Sequence, residues 1–111
     1  MRTSADTGAT IKHSYNTAAS GGASTITLTP AGDGEDRIVI DWIVWSYKAD
    51  PTTGDLTITD TTNSNVLLSC DITVGGPGQI AGPIEAPKDA TVTVVLADGS
   101  QTKKLSVQSR V

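Results

Sequence analysis

Phenylalanine is missing from these 111 residues, and two tryptophans and two tyrosines supply every aromatic ring. The core must therefore be built from Ile, Val and Leu, which suit pleated sheets. A glycosidase cleft needs two carboxylates at a controlled separation beside aromatic platforms, and so few rings fit it poorly. The single cysteine, Cys70, excludes an intrachain disulfide framework and, alone, a cysteine-rich zinc site. A cysteine nucleophile would need a neighbouring base, and the one histidine, His13, lies in a polar N-terminal stretch. Cys70 reads instead as a small buried apolar residue.

Other absences narrow the field further. Eight Lys and Arg stand against twelve Asp and Glu, for a net charge of −4, and the basic residues are scattered. No basic face suits a nucleic-acid partner. No stretch approaches the ~18 consecutive apolar residues of a membrane span. Met1 to Asp6 leads into polar residues rather than the apolar segment of a secretory signal, so synthesis in a host cytoplasm is expected. No segment combines a capping box, a 3.6-residue period and adequate helix length.

What is present is a two-residue period punctuated by Gly, Pro and Asp. Strands are expected at 24–29, 37–47, 54–60, 65–74, 79–84, 90–97 and 103–111. Asp33-Gly34 and Asp98-Gly99 read as tight turns, and Gly82-Pro83 as the mark of an edge or a bulge. The spacing predicts an all-β, antiparallel β-sandwich, jelly-roll-like, of seven to eight strands in one domain over 23–111. Residues 1–22 are rich in Thr, Ser, Ala, Asn and Gly. They read either as a flexible leader or as an arm that orders on a neighbouring subunit, with Ile11 and Tyr15 able to form a short edge strand.

The chemistry-bearing residues are few. Asp33, Glu35 and Asp36 share one turn but lack the ligand pattern of a calcium loop. Gly75 to Gly78 lacks the Gly-Lys-Ser/Thr and the helix of a phosphate loop, and reads as a sharp turn. Neither suggests a catalytic, cofactor or metal site, and the chain is not expected to be an enzyme. The densest apolar run, Arg37 to Tyr47, contains Trp42 and Trp45 on opposite faces if the strand alternates regularly. Regular alternation sends Ile38, Ile40, Trp42 and Val44 to the core. Val39, Asp41, Ile43, Trp45 and Tyr47 then share a second face, which a leader, a loop or a neighbouring subunit must cover. Trp and Tyr are enriched at the centres of protein contacts. A sugar-stacking platform is the remaining use of those rings.

Trp45-Ser-Tyr47, then Ala49-Asp-Pro51-Thr-Thr-Gly54-Asp-Leu56-Thr-Ile58, resembles a group of small virion proteins of tailed phages. The resemblance continues through Asp71-Ile-Thr73, Gly76-Pro-Gly78-Gln-Ile80 and Ala90 to Ala97, covering roughly residues 37 to 97. It implies a jelly-roll capsid decoration (cement) protein, non-enzymatic and without cofactor, on the capsid exterior. It implies a homo-dimer or homo-trimer that bridges subunits of the major capsid protein. The expected contact residues are Ile43, Trp45 and Tyr47, with Ile11 and Tyr15 from the arm. The alternative is a small carbohydrate- or receptor-binding module on a virion surface.

Overall fold

The computed structural model describes residues 11–30 and 36–111. The expected turn at Asp33-Gly34 and the first part of the expected leader lie outside them. Eight strands run in order: β1 (Ile11–Ala18), β2 (Ser24–Leu28), β3 (Val39–Tyr47), β4 (Gly54–Asp60), β5 (Asn65–Ile72), β6 (Gly76–Glu85), β7 (Val92–Leu96) and β8 (Lys103–Arg110). They form two four-stranded antiparallel sheets, β1-β8-β3-β6 and β2-β7-β4-β5.

The pairing has a simple logic. β1 pairs with β8, β2 with β7, β3 with β6 and β4 with β5, like one long hairpin folded at the β4–β5 turn. Rolling that hairpin brings β3 beside β8 and β4 beside β7. This is the jelly-roll arrangement of two packed sheets. Asp60 shapes the turn at the hairpin's tip: it is buried and accepts hydrogen bonds from the Asn63 backbone (3.1 Å) and the Asn63 side-chain amide (2.8 Å).

Alternating residues from both sheets meet in the core. β2 contributes Ile26 and Leu28, β4 Leu56 and Ile58, β7 Val92, Val94 and Leu96, and β8 Leu105 and Val107. Thr25, Thr27, Thr57, Thr59 and Thr93 occupy the intervening positions and make the opposite surface polar. β-branched side chains of this kind favour the extended backbone, so the same pattern selects the strand and its wet face.

Three expectations are corrected. The described part of the sandwich already includes Ile11–Ala18, which the expected boundary at 23 left in the leader or arm, because the edge strand offered there pairs along its whole length with β8. Gly76 and Gly78 are not part of a break; β6 starts there, Gly76 at a positive φ of 86° and Gly78 where it leaves room for a side chain of β3. A Cβ on Gly78 would lie 2.5 Å from the Trp45 indole. The third correction concerns β3. Opposite β8, Ile40 pairs with Ser109 and Trp42 with Gln108, leaving Asp41 as an extra residue. A bulge of this kind resets the two-residue period. Ile38 and Ile40 point inward as expected, but beyond Asp41 the inward residues are Ile43, Trp45 and Tyr47, not Trp42 and Val44. A second register shift between Ile58 and Thr59 has the same consequence on β5: unbroken alternation from Cys70 and Leu68 turns Val66 inward, yet it is exposed.

Candidate contact surface

Burial decides the fate of the expected contact residues. Ile43 and Tyr47 are 0% and 1% exposed, and Trp45 packs against the core. None of these three side chains is on the outer face assigned to it by regular alternation. Tyr47 donates its hydroxyl to the Ala97 carbonyl at 2.6 Å, tying the end of β3 to the opposite sheet. Burial raises the pKa of that hydroxyl above its ordinary value. Ile11 and Tyr15 do lie outside, at 58% and 82% exposure.

The register shows what accompanies them. On the outer face of the β1-β8-β3-β6 sheet, Tyr15, Ser106, Val44 and Gln79 form one row across the four strands. The next row is His13, Gln108, Trp42 and Ala81, with the His13 and Trp42 rings tilted at 42° and 6.3 Å apart. A third row holds Ile11, Arg110, Val39 and Glu85. Tyr15, Val44, Trp42, Val39 and Ile11 thus lie on one sheet face, interleaved with Ser, Gln and His.

Charge sits at the margin. Asp41 holds the bulge to β8, accepting from Arg110 Nε at 3.1 Å and from Gln108 Nε2 at 3.2 Å. Arg37 meets Glu85 at 3.3 Å. At the other end Lys48 and Lys104 edge a shallow hollow with Ser46 and Thr102. Aromatic and aliphatic groups inside a polar rim have the anatomy of a protein contact patch. Trp42, Val44 and His13 were missed because regular alternation turned Trp42 and Val44 inward. The available signal was Asp41, a carboxylate inside an apolar strand, opposite the Gly82-Pro83 pair that itself suggested a bulge.

Several polar residues outside this face serve the fold. Among the described residues, no three of His, Cys, Asp and Glu come together. Cys70 packs against the core, and burial raises its thiol pKa, away from the nucleophilic thiolate. Asp50 accepts the Gly75 N–H at 2.7 Å. Lys103 is fully buried; its ammonium donates to the Ala19 carbonyl at 3.1 Å and the Gly22 carbonyl at 2.5 Å, and lies 3.3 Å from Asp98. Asp98 also accepts the Gly21 N–H at 2.8 Å, so one ion pair closes the β1–β2 turn over the end of β8.

No protein-family model matches the chain, and no curated protein matches it in sequence. Solved structures do match its fold. The Drosophila NLP core, whose structure is described in terms of pentamer formation and histone binding, is 15% identical; 90% of this chain and 94% of that one superpose with a TM-score of 0.56. The nucleoplasmin-like N-terminal domain of Drosophila FKBP39 is 8% identical over 96% of this chain and 91% of that one, with a TM-score of 0.50. PirA is 7% identical over 89% and 92%, also with a TM-score of 0.50. At these identities the likeness is one of fold: the described residues form an eight-stranded, jelly-roll-like β-sandwich.

Proposed function

We propose that the chain is a non-enzymatic structural subunit of a phage virion that decorates the capsid exterior and bridges major capsid protein subunits. The observation that carries this reading is the outer face of the β1-β8-β3-β6 sheet, where Tyr15 and Ile11 stand exposed beside Trp42 and Val44 within a polar rim. Aromatic anchors at such a place give binding energy when a partner excludes water from them. The opposite face, carpeted by threonine, stays wet.

Self-association belongs to the same reading. A closed homo-oligomer presents several copies of one surface, and a capsid presents repeated sites, so avidity multiplies a modest single contact. The added contact area resists outward pressure on the shell. The phage resemblance over residues 37–97 supplies the partner; the sheet face supplies the means.

The test mixes purified protein with capsids that lack it. Saturable, stoichiometric occupancy with a raised rupture temperature is the expected result. Glycan binding without capsid occupancy would replace this reading with a carbohydrate-binding one.

A further inference from the structure

The two sheets expose edges that differ in how well they are guarded. The β6 edge carries Pro77 and Pro83, which lack the N–H a new strand would need. β5 is broken by its register shift and carries Asp71. β2 is only five residues long. β1 runs for eight residues, Ile-Lys-His-Ser-Tyr-Asn-Thr-Ala, without proline, glycine or carboxylate. No described strand pairs with its outer side.

Hydrogen-bond parity tells which groups that edge offers. Lys48 N–H donates to the Thr102 carbonyl at 2.9 Å, so Thr102 turns its backbone toward β3. Backbone direction alternates along an antiparallel strand. Lys103, Leu105 and Val107 therefore turn toward β1, where they face Ala18, Asn16 and Ser14. It follows that Ile11, His13, Tyr15 and Thr17 turn their N–H and C=O groups away from β8, to the free edge. Their side chains lie on the outer sheet face described above.

We infer that a second copy of this chain pairs antiparallel with β1 along this edge, related by a two-fold axis at His13, and joins two four-stranded sheets into one of eight. Such pairing is isologous, so the strand must complement itself. It does. With His13 opposite its own copy, Ile11 faces Tyr15 of the other copy twice, an aromatic–aliphatic pairing that favours strand association. Lys12 falls opposite Ser14, so no lysine meets a lysine. The strip carries no acid, although the whole chain is at −4, which keeps the copies' net repulsion away from the contact. Main-chain bonds along the edge supply affinity and the outward side chains supply register.

This deepens the proposed function by naming the self-contact, and rests on it only for the role of the oligomer. It is tested on the purified chain alone, so failure to bind capsids would leave it standing. Sedimentation should show a concentration-dependent dimer. In a Cys70→Ala background, His13→Cys should oxidise to a covalent dimer, since paired strands hold their Cα atoms within disulfide reach. Thr25→Cys, on the exposed face of the other sheet, should not. His13→Pro removes an N–H that points away from β8 and should give a folded monomer. If that variant misfolds, the double charge substitution Ile11→Lys with Tyr15→Lys should give the monomer instead. A wild-type chain that stays monomeric at millimolar concentration overturns the proposal. So does a dimer that survives the double substitution, or equal cross-linking through position 25.

Discussion

At the scale of single residues, the least expected side chain is Lys103, a lysine whose side chain has no exposed surface. It survives burial because two carbonyls and Asp98 satisfy its ammonium. Replacing it with methionine keeps the stem but frees the β1–β2 turn. We predict a loss of about 1–2 kcal/mol, seen as a lower urea midpoint with an unchanged slope. Asp98 sets the pH dependence of the same latch. The Gly21 N–H bond, followed by Lys103, lowers its carboxyl pKa below the ordinary 3.8. A lowered folded pKa contributes stability that is complete above the unfolded value and disappears as pH falls through the folded one. The stability gap between wild type and Asp98→Asn should therefore hold from neutrality to about pH 4 and shrink below it, as followed by thermal melts across that range. Tyr47→Phe removes one donor from the Ala97 carbonyl and should cost about 1 kcal/mol by the same denaturation assay.

At the scale of elements, the bulge at Asp41 decides which tryptophan belongs to the core. Strand β3 was legible as a strand from its run of Ile, Val and aromatic residues, but not its phase beyond residue 41. Periodicity counts residues along one strand, whereas a bulge is a mismatch between two strands. The neighbour that forces it, β8, lies some seventy residues away (Asp41 bonds to Gln108 and Arg110), beyond any local pattern. The same blindness misplaced Val66 on β5. The phase makes a direct prediction. In single-tryptophan variants, Trp42 in Trp45→Phe should be quenched readily by iodide, while Trp45 in Trp42→Phe should be shielded and blue-shifted. Equal quenching, or the reverse order, would restore regular alternation. The bulge also needs Gly82, because a Cβ there would overlap the Ile40 carbonyl oxygen, a backbone atom with little freedom to move. Gly82→Ala should cost about 1–3 kcal/mol in the denaturation midpoint.

At the scale of the molecule, the all-β sandwich was legible because turn residues recur at strand-length intervals and threonine alternates with aliphatics. The extent of the domain was not. The polar β1 lacks a strong periodic pattern, since it is an edge strand whose inward residues are Ser14, Asn16 and Ala18 rather than large aliphatics. That same poverty hid the candidate surface: Ile11 and Tyr15 stood out, but the register that sets them beside Trp42 and Val44 exists only once β1 and β3 flank β8. The proposed role requires that this outer face, and not the threonine face behind it, meets the capsid. The direct measurement is occupancy of capsids lacking the chain by two variants, Val44→Glu and Thr59→Glu, each first shown to melt like wild type. Val44→Glu should lose occupancy by tenfold or more, while Thr59→Glu should bind as wild type does. Full occupancy by Val44→Glu, or a loss confined to Thr59→Glu, would contradict the account.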